Sequence, residues 1–177
     1  MKKIYIIALI GSLFLTGCNS WPSLQKYFVE KTENKDFIVL DVSPGILQLD
    51  KSKLTVEEAQ ALSSFEKINV LAFKLDSTNV AQYDVEKSKV KEILKEKKYQ
   101  PLMKFGSGKT GASVSFVGDE KHIEEFVLFA YGKGNGFGVV RVLGKDMNPK
   151  GIMTLMSILK DSKIDMAQLK PLQELMK

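Results

Sequence analysis

The sequence predicts an α+β fold, in which a mixed, largely antiparallel sheet of about six strands carries helices on one face. Two early apolar segments alternate with helical patterns, and four later strand patterns follow one another with only short turns between them. Short turns require antiparallel hairpins, because a parallel pair of strands needs a long crossover. Strands such as 127–131 are too apolar to remain uncovered, so we expect helices to pack on the sheet.

The first part of the domain alternates helix and strand. Apolar residues at helical spacing from Leu24 predict a short helix, and the apolar segment 37–42 predicts the first strand. Thr55 and Glu58 have the spacing of a capping box, which starts a second helix. The predicted inner face of this helix consists of Val56, Ala59, Leu62 and Phe65.

A long charged helix is predicted from Asp76 to about Lys98, after a second strand near 69–75. Its charged residues, Glu86 among them, favour a solvated face over a basic partner site. The residues predicted to face inward are Val80, Tyr83, Val90 and Leu94.

The second part of the domain is predicted to be a run of hairpins followed by helices. Asn148 has the character of a helix cap, and Pro149 that of a first helical residue. A last short helix is expected from Asp165. The four strands are predicted at about 100–106, 111–118, 123–131 and 137–144, and the inner face of the first helix at Ile152, Leu155, Met156 and Leu159.

The N-terminus has the pattern of a bacterial lipoprotein signal. Two lysines precede an uncharged segment, 4–15, that is shorter than the roughly 20 residues needed to cross a bilayer. The segment Leu15-Thr16-Gly17-Cys18 resembles a lipobox, and Cys18 is the one cysteine of the chain. The alternative is an ordinary secreted protein whose cysteine lies near the cleavage site by chance. We therefore expect a signal peptide at 1–17, a lipidated tether at 18–23 and a single domain at 24–177.

The residues after Cys18 indicate where such a lipoprotein would reside. In the better-known sorting systems an Asp at the next position retains lipoproteins at the inner membrane, and this chain has Asn19. The segment 19–26 also lacks the acidic cluster that resembles a surface-export signal. We expect attachment to the membrane through lipid on Cys18, at the periplasmic side of the outer membrane.

Composition excludes several partners and cofactors. Removing Lys2 and Lys3 lowers the formal net charge from +5 to +3, and Arg141 is the one arginine. Readers of nucleic acid favour arginine, so we expect no nucleic-acid partner. One cysteine and one histidine leave no set for a cysteine-based zinc site or a multi-histidine metal centre, and we expect no metal and no cofactor.

The glycine-rich segment 106–111 is not expected to bind a nucleotide. A phosphate-binding loop needs a glycine five residues before its Gly-Lys pair, where this chain has Met103. The loop must also open a helix, whereas 112–117 alternates like a strand. A β-turn is the better interpretation.

Arg141 and Asp41 are the candidate site residues. Each shares a strand face with large apolar residues, so each needs a partner if that face is buried. A direct Arg141–Asp41 pair, as a structural bridge or the floor of an anion site, is the simplest arrangement. If the opposite faces are buried, Arg141 is merely exposed, and we slightly favour that alternative. His122 reads as an exposed turn residue, and Glu124 and Glu125 point to opposite faces.

The order of parts is similar to a known family. The lipoprotein signal, the strand at 37–42, the segment 68–73, the hairpins and the helix at 149–159 resemble the domain of unknown function 4252, found in small exported proteins of Bacteroidota. That resemblance implies no activity, cofactor or site residue. We expect a non-enzymatic binding or assembly module with an envelope protein as partner. The alternative is a hydrolase or anion-binding enzyme that uses Arg141 with Asp41 and His122.

Overall fold

One antiparallel sheet of six strands organises the part of the chain that the structure, a computed structural model, describes: residues 22–46, 50–132, 134 and 136–161. The order across the sheet is β1-β2-β6-β5-β4-β3, so β1 and β3 form its two edges. Each pairing is antiparallel, which confirms the α+β class and the predicted hairpins. The strands are β1 (Phe37–Val42), β2 (Phe65–Phe73), β3 (Gln100–Ser107), β4 (Thr110–Asp119), β5 (His122–Gly132) and β6 (Gly136–Met147).

Within the described residues, four helices pack on this sheet. Two of them begin at the predicted caps, whereas the third begins at Val80 rather than at the predicted Asp76. Thr55 and Glu58 form the capping box that starts the second helix. The Oδ1 atom of Asn148 accepts a hydrogen bond from the Gly151 backbone N–H at 2.8 Å, which caps the fourth. The helices are α1 (Leu24–Lys31), α2 (Val56–Ser64), α3 (Val80–Ile93) and α4 (Pro149–Asp161), with short 3₁₀ helices at Pro44–Ile46 and Lys51–Lys53.

The helices lie on both faces of the sheet, so the expectation of one covered face was wrong. Side chains of α1 and α3 pack with Leu71 and Phe73 of β2, whereas side chains of α2 and α4 pack with Ile68 of the same strand. Successive residues of a strand point to opposite faces. We therefore call the two sides of the sheet the α1/α3 face and the α2/α4 face.

The larger core lies on the α1/α3 face and is rich in aromatic rings. Phe73 and Phe137, on neighbouring strands, stack with their ring centroids 5.4 Å apart. Such offset pairs add to the stabilisation that apolar burial provides. The buried members of this cluster are Leu24, Tyr27, Phe28, Phe37, Leu71, Phe73, Tyr83, Val90, Ile93, Tyr99, Val127, Phe129, Phe137 and Val139.

Some predicted helix faces need correction. Val56 and Ala59 are exposed, and Phe65 is the first residue of β2 rather than part of a helix. Because α2 runs into β2 without a loop, the strand sets the orientation of the helix, and Ala61 faces the core instead. Val80, in the first turn of α3, is also exposed.

The predicted inner face of α4 is confirmed where it can be described. Leu155 is buried and Ile152 is half-buried. The side chains of Met156 and Leu159, the helix expected from Asp165, the signal peptide at 1–17 and Cys18 lie outside the described residues.

Candidate functional site

The α2/α4 face carries apolar side chains in rows that cross all six strands. The row nearest the helices includes Phe116, Phe126, Val142 and Ile68, which pack in the clusters beneath α2 and α4. Two further rows follow toward the other end of the strands, and the strand pairings place six residues in each. One row is Met103, Val114, Leu128, Val140, Val70 and Leu40, and the other is Phe105, Ala112, Ala130, Gly138, Ala72 and Ile38.

These twelve residues, which we call the open patch, are uncharged and only partly covered. Phe105 is 57% exposed, Met103 48% and Leu128 42%, although all three are large apolar side chains. Ala130 is also exposed, and the remaining members are half-buried. Monomeric proteins rarely expose a large contiguous group of such side chains, which makes the open patch a candidate contact surface.

The open patch has the size of a functional surface. Strands lie about 4.8 Å apart and residues on one face about 6.7 Å apart, so twelve positions span about 400 Å². The largest apolar patch on a typical monomer covers about 300–600 Å² and is often functional. A standard protein–protein interface, however, buries about 800 Å² on each partner. A partner that binds the open patch must therefore contact neighbouring surface as well.

Arg141 lies on the opposite face, where it is 5% exposed, so the slight preference for an exposed arginine was wrong. Its Nε donates to Glu125 Oε1 at 2.6 Å, and its Nη1 donates to Gln25 Oε1 at 2.7 Å and Asn69 Oδ1 at 3.4 Å. The Phe28 ring lies 5.5 Å from the guanidinium carbon. With these contacts the guanidinium is held by protein groups, which is the arrangement of a structural cation.

Asp41 reaches this network through one intermediary. Asn69 accepts from Arg141 and donates through Nδ2 to Asp41 Oδ1. The other carboxylate oxygen of Asp41 accepts from Lys67 Nζ at 2.9 Å, near the surface. The structure thus pairs Arg141 with Glu125 and Asp41 with Lys67, and Asn69 links the two pairs instead of the direct bridge that the shared apolar faces predict.

A second buried charge, Glu86 of α3, was missed by sequence analysis. It is 5% exposed rather than solvated. Tyr27 donates to it at 2.7 Å, and Lys31 and Lys89 donate to it at 2.9 Å each. Burial would raise the pKa of Glu86, but these hydrogen bonds lower it below its ordinary value. The same cluster raises the pKa of Tyr27, through burial first and the carboxylate second.

The spacing of Glu86 contained the missed signal. Glu86 stands three residues after Tyr83 and four before Val90, both of which the periodicity places inside. A residue at that spacing shares their helix face. Charge alone therefore suggested exposure, whereas position indicated burial with a partner.

The remaining sequence candidates are located as follows. His122 is an exposed hairpin residue whose Nδ1 lies 2.7 Å from Asp146 Oδ1. The hydrogen bond to Asp146, then the charge of Asp119, raises the pKa of His122. The segment 106–111 forms the turn between β3 and β4, in the strand context that the sequence predicts. Glu124 is exposed and Glu125 buried, which confirms that they point to opposite faces.

A groove of mixed charge lies outside the open patch, between the two helices of the α1/α3 face. The groove of about 850 Å³ separates α1 from α3, and its lining includes three acidic and two basic side chains, Glu30, Asp84, Glu92, Lys26 and Lys89. This mixture favours neither an anion nor a cation. Within the described residues, no group of three or more His, Cys, Asp or Glu side chains converges as a metal site. None of the helices in that part of the chain has the length and apolarity needed to cross a bilayer.

Comparison with known proteins identifies a family. A family model described as "Domain of unknown function (DUF4252)" matches residues 27–155, which is more than half of the chain. The match begins within α1 and ends within α4, so it spans the whole sheet. No curated protein and no solved structure matches the chain.

Proposed function

Since this chain belongs to the DUF4252 family, whose description carries no activity, we propose that it is a non-enzymatic, lipid-anchored binding module of the bacterial envelope. The open patch is the observation that carries this proposal. It places large apolar side chains, Leu128 and Phe105 among them, on the surface of a sheet whose other face carries the larger buried core. A partner protein in the envelope gives that surface a function.

The sequence supports the anchoring part of the proposal. Lipid joined to Cys18 attaches the domain to a membrane through the short tether 18–23, and two or three acyl chains bind stably where one does not. Asn19 favours the outer membrane, with the domain in the periplasm. Intact-mass measurement of the membrane form should find a chain that begins at Cys18 with added acyl mass. An unmodified chain cleaved elsewhere would contradict the anchor.

The alternative of a hydrolase or anion-binding enzyme has less support. It needs Arg141 to face a substrate, but Glu125, Gln25 and Asn69 already accept hydrogen bonds from its guanidinium. An anion would have to displace Glu125 from a buried pair, which is costly.

The binding part is tested by photo-crosslinking in the intact cell. A benzophenone amino acid replaces Leu128 in the full-length chain, and a second strain carries it at Met153, which is 64% exposed on α4. We expect position 128 to give an adduct of one defined mass that is absent from position 153, and Ala130→Glu in the same patch to remove it. No adduct at 128, or the same adducts at both positions, would contradict the proposal.

A further inference from the structure

Strand β3 forms an open edge of the sheet beside the open patch. Every residue from Gln100 to Gly106 is exposed, whereas the other edge, β1, has both its end residues, Phe37 and Val42, buried. An edge strand leaves alternate backbone N–H and C=O groups without a strand partner, so it can pair with another extended segment. The β3 residues that follow Pro101 pair regularly with β4 from Met103 to Ser107.

The two sides of this edge differ in chemistry. Met103 and Phe105 point to the open patch, so one side is apolar. Lys104 points to the α1/α3 face, where it lines a cavity of about 250 Å³ together with Lys91 of α3 and Lys95, which follows that helix. Among the described residues that line this cavity there are three lysines and no carboxylate.

The lysines show which side chains the cavity can accept. Lys95 pairs with Glu92 at 2.6 Å, and the Nζ of Lys91 lies 4.2 Å from the centroid of the Tyr131 ring, which is part of the lining. A carboxylate that enters the cavity from the edge strand would be attracted by these lysines. A second copy of the chain is a poor occupant, because antiparallel pairing of two β3 strands brings one Lys104 toward the other.

We propose that a partner protein adds an extended segment to β3 as a seventh strand, in which acidic and apolar residues alternate. The acidic side chains contact Lys104, Lys91 and Lys95, and the apolar ones extend the open patch beyond Met103 and Phe105. This inference rests on the proposed binding function and names how the partner engages it. It also supplies the additional contact area that the open patch alone lacks.

The experiment uses a synthetic peptide and the full chain in detergent. The probe is acetyl-Thr-Val-Glu-Val-Glu-Val-Glu-Thr-amide with a fluorescent label, and the control peptide has the same residues in blocks, with three Glu followed by three Val. We expect saturable binding of the alternating peptide only, with slower amide hydrogen exchange at residues 103–106. Because Lys104 is exposed, we expect Lys104→Glu to fold normally. The substitution replaces an attraction to the peptide carboxylates by a repulsion, so it should weaken the binding about fivefold.

A charge exchange separates strand addition from attraction to any anion. Replacing each Glu of the probe by Lys should lower the affinity for the unchanged chain more than for Lys104→Glu, because that variant turns one of the three positive groups negative. Equal binding of the block and alternating peptides, or a dimer of the free chain that protects the same amides, would overturn the inference. If Ala130→Glu abolishes the cellular adduct formed at position 128 and Lys104→Glu does not, strand addition fails while the binding function stands. If neither variant affects the adduct, both fail.

Discussion

The two faces of the sheet differ in how completely helices bury their side chains. On the α1/α3 face, two helices cover the larger core, and polar residues there such as Arg141 and Glu86 are buried with partners. On the α2/α4 face, the helices cover the strand residues at one end, and two further rows are apolar yet partly exposed. The paired buried charges of the α1/α3 face contribute to stability, whereas the partly exposed apolar rows of the other face form the surface that we propose for contact.

Neighbouring residues of β5 show this contrast within one strand. Phe129 points to the α1/α3 face and is 2% exposed, while Leu128, one residue before it, points to the open patch and is 42% exposed. Both are large and apolar, so composition does not distinguish them. Their difference lies only in which helices pack against each face.

The largest effect is expected from Arg141. Changing it to Met leaves Glu125 as a buried carboxylate without its cation, which should cost about 3–5 kcal/mol of unfolding free energy. Denaturant titration measures this loss, with Lys145→Met as the control, because the Lys145–Glu66 pair is exposed and its loss should cost at most about 1 kcal/mol.

A double-mutant cycle then sharpens the assignment of partners. Arg141→Met and Glu125→Gln should be strongly non-additive, because the two side chains are in contact. The cycle with Asp41→Asn should show weaker coupling, since Asn69 stands between them. Stronger coupling to Asp41 than to Glu125 would contradict the network.

A somewhat smaller effect is expected beneath α4. Leu155 is buried against the row of strand residues that the helices cover. Leu155→Ala should lower the unfolding free energy by about 2–4 kcal/mol through lost burial and the cavity that remains. Lys150→Ala, which removes an exposed pair with Glu57 on the same helix, should change it by at most about 1 kcal/mol. Equal small changes in the two variants would contradict the packing of α4 on the sheet.

Alkaline pH should weaken the α1/α3 face. Burial, then the charge of Glu125, raises the pKa of Tyr99 to about 12, and the pKa of Tyr27 is raised further by burial and Glu86. Both tyrosines ionise near pH 10 in the unfolded chain but stay neutral when folded, so rising pH favours unfolding. Above pH 10, ionisation of each tyrosine in the unfolded chain should lower the free energy of unfolding by about 1.4 kcal/mol per pH unit. The loss due to Tyr99 should level off near pH 12, where Tyr99 ionises in the folded chain as well. Unfolding at several pH values should show a shallower slope for Tyr27→Phe.

The smallest effect on stability is expected at the open patch. Leu128→Thr should lower the unfolding free energy by at most about 1 kcal/mol, because the side chain stays 42% exposed in the folded chain and Thr suits a strand. Phe129→Ala, at the next position of β5, should cost about 3–5 kcal/mol. A large loss from Leu128→Thr would show that the patch belongs to the folding core.

Sequence patterns predicted the elements well because most of them depend on local features. The hairpins follow from short glycine-containing turns, and α2 and α4 begin at side-chain caps that Thr55 and Asn148 provide. The placement of Arg141 on one face with Phe137 and Val139 was also readable from strand alternation. Alternation did not show which of the two faces is buried, since that depends on where the helices pack.

The partner of Arg141 and the open patch could not be read in the same way. Alternation places Glu125 on the same face as Val127, which pairs with Arg141, but the register that brings Glu125 diagonally beside Arg141 depends on the pairing of β5 with β6 and is not contained in either strand alone. Because β5 is apolar on both faces, the sequence predicts that helices cover it. That expectation holds for Phe129 and not for Leu128. Whether a helix packs over a given strand residue depends on tertiary structure, and the periodicity of the strand carries no information about it.

Accessibility of residue 128 in the cell tests most directly whether the open patch is a contact surface. Leu128→Cys and, separately, Met153→Cys are labelled with a membrane-permeant maleimide, first in intact cells and then after mild detergent extraction. We expect Cys at position 128 to react slowly in cells and several-fold faster after extraction, while position 153 reacts alike in both. Equal and rapid labelling of both positions in intact cells would show that the patch has no occupant.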